Sequence, residues 1–171
     1  KKSEGDLQDI AVRCVDELSR LDRIINDYLS YGKDMTLNLT NTDIAELSQT
    51  IRKLLEIDAE NKNVSINING SGQIQADGEK MKQVLFNLMI NAIQGAPDGS
   101  QIDVLISEKY LRITNQIAEP DFETDSLGKP FYTTKTVGTG LGLAIVKRIS
   151  KLHGFRVDIA VCEIFCVQIN F

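Results

Sequence analysis

A segment from Lys129 to Leu143 combines the residue types that bind phosphate groups. It reads K-P-F-Y-T-T-K-T-V-G-T-G-L-G-L, in which two threonines and a lysine precede three glycines at alternate positions. Backbone N–H groups at the start of a helix, with a nearby ammonium group and hydroxyls, bind anionic phosphate. The segment therefore predicts a phosphate-binding loop that leads into a helix. A flexible glycine turn without a ligand is the weaker interpretation.

The glycine spacing excludes two common phosphate motifs. Gly138-x-Gly140-x-Gly142 differs from the dinucleotide fingerprint G-x-G-x-x-G, because Leu143 occupies the position of its last glycine. The segment is not a P-loop either, because no Lys-Ser or Lys-Thr pair follows the last glycine.

A second polar group lies upstream in the sequence Q-V-L-F-N-L-M-I-N-A. Asn87 and Asn91 are four positions apart, so they share one face of the predicted helix. Asparagine is a poor helix former, and two of them on a hydrophobic helix indicate a function. An amide oxygen is a neutral ligand suited to Mg²⁺ that keeps several waters and bridges phosphates. Two solvent-facing or capping asparagines are the alternative.

Hydrophobic periodicity and turn residues predict the elements that position these groups. Strands are expected at Met35–Leu39, Val64–Ile68 and Gln73–Ala76, with hairpins formed by Ile102–Ile106 with Tyr110–Asn115 and by 155–171. Helices are expected from Thr42 or Asp43 to about Glu60, from Gly78 to about Gly95 after an Asp77 cap, and over Gly140–His153. Residues 116–137 form a long irregular connection of the kind that often covers a ligand as a lid.

Residues 5–31 predict one long helix that Gly32 ends. Its apolar residues repeat at spacings of four and three, typical of a coiled coil or bundle, at Leu7, Ala11, Cys14, Leu18, Leu21, Ile25 and Tyr28. Ile10, Val15 and Ile24 widen the stripe and favour a four-helix bundle. Since one helix cannot bury this stripe, we expect oligomerisation through it. An ordinary amphipathic helix packed on its own domain is the alternative.

Composition restricts the class of protein. The 171 residues, of which 42% are hydrophobic, allow one core-forming domain plus an appendage. The net charge of -5 argues against a general nucleic-acid binder. We expect no membrane span and a cytoplasmic location, because there is no long apolar run or secretory signal. Cys14, Cys162 and Cys166 form no zinc spacing and predict reduced thiols, with a Cys162–Cys166 disulfide less favoured.

In chain order, the segment with Asn87 and Asn91 resembles the N box of sensor histidine kinases. The segment from Lys129 to Leu143 resembles their F box, at Phe131, followed by their second glycine box. These kinases belong to the GHKL superfamily. The stretch T-T-K-T-V-G-T-G-L-G-L-A-I-V-K-R-I is similar to the nitrogen-regulatory type. Residues 33–171 resemble the catalytic ATP-binding domain, and residues 1–32 the second helix of the dimerisation and phosphoacceptor domain. The implied fold is an α/β two-layer sandwich, in which three helices cover a mixed sheet of about five strands.

The resemblance implies that the chain binds ATP and Mg²⁺ and moves the γ-phosphoryl group to a histidine and then to a response regulator. Asn91 would coordinate Mg²⁺, and Asn87 would help to orient the phosphates or the metal. Lys135 would contact the terminal phosphates, and Phe131 would anchor the lid. Asn87 and Lys135 are the implied catalytic residues. The implied nucleotide contacts are Asn87, Asn91, Asn115, Phe131, Thr133, Thr134, Lys135, Gly138, Thr139, Gly140, Leu141, Gly142 and Leu143.

One departure from the family concerns the residue that would bind the adenine base of ATP. The first glycine box, D-x-G-x-G, should follow the strand ending near Ile113, where this chain reads L-R-I-T-N-Q-I-A-E-P. Asn115 therefore stands at the position of the adenine-binding aspartate. Its oxygen can accept a hydrogen bond from the adenine amino group but carries no charge. This loss would cost about 1–2 kcal/mol, or about tenfold in affinity.

The other departure concerns the phosphoacceptor. The single histidine, His153, is expected in the last turn of a helix at the surface, where a partial positive charge is favourable. The family's acceptor lies on the first bundle helix, which we expect before Lys1. The chain should therefore bind ATP without phosphorylating itself.

Three other kinds of GHKL protein are alternatives to the sensor kinase. Asn115 motivates a degenerate GHKL module that binds nucleotide weakly and acts as a dimeric scaffold for a response regulator. The heptad helix argues against a protein-serine kinase of the anti-sigma type. Asn87 argues against a topoisomerase- or chaperone-type ATPase, which keeps a general-base glutamate there. The expected partners are ATP or ADP, a response-regulator receiver domain and a second copy of the chain, and no nucleic acid.

Overall fold

The computed structural model divides the chain into two units, Lys1–Asp34 and Met35–Phe171. It describes residues 10–11, 14–15, 18, 36–117, 126–133 and 139–171. In the first unit, all five described positions are helical and exposed: Ile10, Ala11, Cys14, Val15 and Leu18. They agree with the predicted heptad helix. Its other apolar positions and the stop at Gly32 lie outside the described residues.

The second unit contains seven described strands and four described helices. In chain order these are β1 (Thr40–Asp43), α1 (Ile44–Leu54), α2 (Glu56–Asn61), β2 (Ser65–Gly70), β3 (Gln73–Ala76), α3 (Gly78–Gly95), β4 (Gln101–Ile106), β5 (Tyr110–Gln116), α4 (Gly142–Leu152), β6 (Arg156–Val161) and β7 (Ile164–Asn170).

The described helices are all too short or too polar to cross a membrane.

Five strands form a mixed sheet in the order β2-β4-β5-β7-β6. β2 runs parallel to β4, and the other neighbours are antiparallel. Side chains in β4 alternate between exposed and buried, so one sheet face packs on the helices. The predicted two-layer sandwich with a five-stranded mixed sheet is confirmed.

Helix α3 is the central helix of the covering layer, because it packs against both α1 and α4 as well as against β5. Its buried side chains are Met81, Val84, Leu85, Leu88, Met89, Ala92 and Ile93. Each large apolar side chain buried in this way contributes about 1.5–3 kcal/mol. The packing fixes the rotation of α3 about its axis, and with it the direction of the polar face.

The strand predicted at Met35–Leu39 is wrong, since β1 begins at Thr40 and Leu39 is 53% exposed. The hydrogen bonds to β3 decide the position of this strand. Thr40 pairs with Ala76, and the buried Thr42 hydroxyl donates to the Ala76 carbonyl at 2.9 Å. β1 and β3 form a separate two-stranded sheet.

Two predicted helices have different bounds in the structure. The helix expected to reach Glu60 is interrupted at Leu55, whose buried side chain joins the core between α1 and α2. The last helix begins at Gly142, because Gly140 has a left-handed backbone with φ 67°.

The cysteines are free thiols. Cys166 lies opposite Ala160, so Cys162 and Cys166 are not cross-strand partners. Burial raises the pKa of the Cys166 thiol, although the nearby Arg112 guanidinium acts in the opposite direction. A raised pKa disfavours the thiolate, which is the reactive form of cysteine.

Candidate functional site

One face of α3 carries Asn87, Asn91 and Gly95 at intervals of four residues. Residues at this spacing follow one another along a helix, so we call them the α3 row. All three are half-buried, between the buried face and solvent. Eight residues of helix rise about 12 Å. The two ends of the row, at Asn87 and at Gly95, therefore lie about 12 Å apart along the helix.

The Asn87 end of the row lies beside the start of α4. Asn87 Nδ2 donates to the Gln83 carbonyl at 2.8 Å, one turn back on its own helix. Its Oδ1 lies 3.1 Å from the position that a Cβ atom would take at Gly142. The N box and the glycine box are thus brought together, and the Asn87 amide occupies the space that a side chain at position 142 would need.

The start of α4 differs from the starts of the other long helices. Asp43 caps α1 and Asp77 caps α3 with side-chain oxygens, whereas α4 begins without a side-chain cap in the described part of the chain. Thr139 Oγ1 accepts from the Leu141 N–H at 3.2 Å just before it. Uncapped N–H groups and the positive end of the helix dipole favour an anion.

The leucines around this helix start serve the core. Leu141 is buried, and Leu143 packs against the core. Any contact that these two predicted residues make with a ligand would therefore come from their backbone.

The Gly95 end of the row lies beside Asn115 in β5, which is 3% exposed. Its Nδ2 donates to the Gln116 carbonyl at 2.6 Å and lies 3.7 Å from the position of a Cβ atom at Gly95. Its buried Oδ1 has no hydrogen-bond partner among the described residues. The Gln116 carbonyl fixes the amide orientation, since the flipped amide would bring two oxygens together. A buried unpaired oxygen costs about 1–3 kcal/mol, so a donor on a ligand would be stabilising here.

The F box meets the glycine box through the backbone. The Phe131 N–H donates to the Gly140 carbonyl at 3.1 Å, and a Cβ atom at Gly140 would lie 2.4 Å from the Phe131 carbonyl carbon. Only glycine fits at position 140. The Phe131 side chain is 64% exposed, so its predicted anchoring role stays a prediction.

The segment between these contacts is described only at its ends. Thr133 is exposed and Thr139 is half-buried. Thr134, Lys135 and Gly138 lie outside the described residues, and their predicted roles stay predictions.

A metal site made by protein carboxylates is absent from the part of the chain that the structure describes, where no three His, Cys, Asp or Glu residues cluster. An amide oxygen of Asn91 would add a neutral ligand. A Mg²⁺ ion at this position fits only with phosphate oxygens and waters completing its shell and balancing its charge.

His153 has a structural role that links α4 to α3. Its Nδ1 lies 2.8 Å from the Ile149 carbonyl, and its Nε2 accepts from the Asp77 N–H at 3.0 Å. The ring stacks on Phe155 at 5.2 Å. Nε2 accepts from a backbone N–H and Nδ1 faces a carbonyl oxygen, so both ring nitrogens are used in this link. The expected surface position is corrected, because His153 is half-buried.

Asp77 is the other member of this link. Its carboxylate accepts from the Lys80 N–H at 3.1 Å and from the Asn38 N–H at 3.0 Å. Burial raises the pKa of Asp77, but the backbone N–H groups of Asn38, Lys80 and Glu79 and the Lys80 ammonium together hold it below its ordinary value of 3.8. The helix that carries the α3 row is thus fixed at its start.

The motifs did not predict the part played by Gly95. The available signal was its spacing, since Gly95 follows Asn87 and Asn91 at the same interval.

Comparison with known proteins identifies a family for this chain. Residues 76–168 match the family described as histidine kinase-, DNA gyrase B-, and HSP90-like ATPase. Sensor histidine kinase ZraS of Escherichia coli (strain K12) is 30% identical over 164 residues, which are 91% of this chain and 35% of that protein. The chain therefore spans about a third of the length of this relative.

Two solved structures share the fold. Histidine kinase ThkA in complex with response regulator protein TrrA superposes with a TM-score of 0.69 and 27% identity, over 91% of this chain and 48% of that chain. Full-length ShkA in complex with AMPPNP gives a TM-score of 0.71 over 92% of this chain and 37% of that chain; its 24% identity supports the fold alone.

Proposed function

Since this chain belongs to the family of histidine kinase-, DNA gyrase B- and HSP90-like ATPases, we propose that it is the ATP-binding catalytic region of a two-component sensor histidine kinase. It transfers the γ-phosphoryl group of ATP to a histidine outside this chain, and the group then passes to a response regulator. The glycine-box sequence supports the nitrogen-regulatory type of kinase.

The α3 row is the observation that carries the proposal. Its Asn87 end meets the uncapped start of α4 at Gly142, and its Gly95 end meets the unpaired oxygen of Asn115. The two ends of the row, one beside the uncapped start of α4 and the other beside the buried acceptor, lie about 12 Å apart along one helix face. This separation fits a nucleotide with its phosphates at α4 and its base at β5.

At the phosphate end, the residues of this chain bind and orient. The N–H groups at the start of α4 face the negative charge, and Asn87 fixes the position of the phosphates beside Gly142. Thr133, Thr134 and Lys135 supply hydroxyls and an ammonium group from the segment before α4. When bound beside Asn91, Mg²⁺ supplies further charge neutralisation. Catalysis of this kind consists of positioning and electrostatic stabilisation.

At the base end, Asn115 Oδ1 accepts a hydrogen bond from the exocyclic amino group of adenine. Because Asn115 carries no charge, it should bind adenine more weakly than the family's aspartate does. This weaker binding is the basis of the scaffold alternative. The unpaired Oδ1 argues against a vestigial site, because its desolvation is unfavourable until a donor arrives.

The proposed partners follow from the family and from the N-terminal unit. ThkA, which shares 27% identity with this chain, forms a complex with a response regulator, and we propose a receiver domain as the partner here. The exposed helical positions Ala11, Cys14 and Leu18 support a homodimer formed through the N-terminal helix. We propose a cytoplasmic location, where ATP is available.

Calorimetric titration of Mg-ATP into this chain tests the proposed site. We expect saturable binding in the millimolar range or tighter, and weaker binding by an Asn87→Ala variant. Asn67→Ala, at an exposed position of β2 away from the α3 row, is the matched control. No heat from the wild type at millimolar nucleotide would exclude a nucleotide-binding kinase.

Phosphoryl transfer requires a version of the protein extended at its N-terminus by about 50 residues, enough for a further bundle helix and its turn. With radiolabelled Mg-ATP, we expect label that is stable to base and lost in acid, as for a phosphohistidine. Nucleotide binding without any label would favour the scaffold.

A further inference from the structure

We propose that Lys147 is a positioning residue for this site. Its ammonium group holds residues 126–132, here called the 126–132 turn, on helix α4. It thereby fixes the backbone from which the predicted phosphate-contacting segment starts. The inference rests on the proposed function and concerns a residue of the glycine-box helix to which no role is assigned above.

The contact between Lys147 and the turn is direct. Lys147 is exposed on the second helical turn of α4, and its Nζ donates to the Leu127 carbonyl at 2.7 Å. Charge-assisted hydrogen bonds of this length are among the stronger ones. Gly128, with φ 79°, covers the lysine stem so closely that a Cβ atom there would lie 2.6 Å from both Cε and Nζ. The turn therefore rests on the lysine side chain.

Hydrogen bonds within the turn carry this anchor to Phe131. The Lys129 N–H donates to the Ser126 carbonyl at 3.1 Å, and the Tyr132 N–H donates to the Lys129 carbonyl at 3.3 Å. The Phe131 N–H then donates to the Gly140 carbonyl, just before α4 begins. The turn is thus attached to α4 at Lys147 and to the backbone just before α4 at Gly140.

The backbone of Phe131 shows why this support is needed. Phe131 has φ 66°, a left-handed conformation that residues other than glycine rarely adopt and that persists only where neighbours enforce it. Its exposed ring supplies little packing, so the enforcement comes from backbone contacts and from the Lys147 anchor. Thr133, Thr134 and Lys135 follow in the chain after one intervening residue, Tyr132. Lys147 therefore acts on the phosphates through these residues without touching them.

The Lys147→Met variant of this chain keeps the apolar stem and removes the ammonium group. We expect the affinity for Mg-ATP to fall about fivefold, a change equivalent to about 1 kcal/mol, with AMP affinity within about twofold of the wild type. Calorimetry measures the first affinity and an NMR titration the second. Hydrogen exchange at the Phe131 amide should accelerate at the same time. Lys151→Met, one helical turn further along α4, is the control and should change none of these quantities.

A second variant approaches the same contact from the other side. An alanine at position 128 must push the end of the Lys147 side chain away and also strains the backbone, so Gly128→Ala should reproduce the selective loss of ATP affinity. Because both changes break one contact, the double variant should lose less than the product of the two single losses.

The possible outcomes separate the two proposals. If the wild type binds neither nucleotide, the proposed function is wrong and the role of Lys147 falls with it. If the wild type binds Mg-ATP but Lys147→Met binds it equally well, only the role of Lys147 is overturned. Equal losses for ATP and AMP, or unchanged exchange at Phe131, would also overturn it.

Discussion

The side-chain oxygen of Asn87 lies 3.1 Å from the position that a Cβ atom would occupy at Gly142. This contact joins two segments that are far apart in the chain, the middle of α3 and the first residue of α4. A methyl group at position 142 would shift the Asn87 amide by a few tenths of an ångström without any change in charge. A substitution at Gly142 therefore tests how the position of the Asn87 amide affects nucleotide binding when no charge is changed.

We expect Gly142→Ala to separate stability from binding. Alanine favours a helix over glycine by up to about 1 kcal/mol, which offsets the crowding at Asn87, so the free energy of unfolding should change little. Nucleotide affinity should fall about threefold to tenfold, because small misplacements at a phosphate site are costly. Urea unfolding and calorimetry measure the two effects.

Gly78 offers a matched control, because it is the first residue of α3 as Gly142 is of α4. The nearest atoms to a Cβ at position 78 lie 3.9 Å away, in the Thr42 side chain, which is ordinary contact. Gly78→Ala should therefore leave nucleotide affinity unchanged. A similar loss in both variants would contradict the role assigned to the Asn87–Gly142 contact.

Local sequence signals predicted α3 completely. Asp77 is a capping residue followed by a long periodic apolar stretch, and the helix runs over Gly78–Gly95 as expected. The same kind of signal failed at Met35–Leu39, whose alternation is typical of a strand. Register with β3 places the strand at Thr40–Asp43, and a pairing partner more than 30 residues away leaves no trace in local periodicity.

In the candidate site too, some features could be predicted from local sequence and others depend on contacts between distant segments. The four-residue spacing of Asn87 and Asn91 predicted their shared face, and the family resemblance placed Asn115 at the position of the adenine-binding aspartate. The proximity of Gly95 to Asn115 and that of Asn87 to Gly142 depend on how α3 is rotated against the sheet and against α4. That rotation comes from core packing and could not be derived from either motif alone.

Asn115 should select the base by its amino group. Its unpaired Oδ1 would accept a hydrogen bond from the amino group of adenine but would face a carbonyl oxygen in inosine. We expect the wild type to prefer ATP over inosine triphosphate by about tenfold, and Asn115→Ala to lose this preference. Competition binding measures the ratio. Thr114→Ala, whose side chain points to the opposite sheet face, should keep it.

The Asp77 carboxylate should make stability depend on pH. Its pKa is lowered in the folded protein, so its contribution is present above its ordinary pKa of 3.8 and is lost as the pH falls through the folded value. An asparagine side chain at this position has one acceptor oxygen and could not serve both the Asn38 and the Lys80 N–H groups in the same way. Asp77→Asn should therefore cost about 1–2 kcal/mol at about pH 7, and the difference from the wild type should shrink below about pH 4. Urea unfolding over this range would contradict the assignment if the difference stayed constant.

His153 should matter for stability and not as a phosphoacceptor. In His153→Ala, the buried Asp77 N–H loses its acceptor and Phe155 loses its stacking partner, so the free energy of unfolding should fall by about 1–3 kcal/mol. In the N-terminally extended protein, the same variant should still acquire acid-labile label once folding is complete, because the acceptor lies elsewhere. A decrease in label that matches the unfolded fraction of the variant would agree with a role of His153 in stability. Loss of all label from a fully folded variant, verified by circular dichroism, would instead make His153 the acceptor.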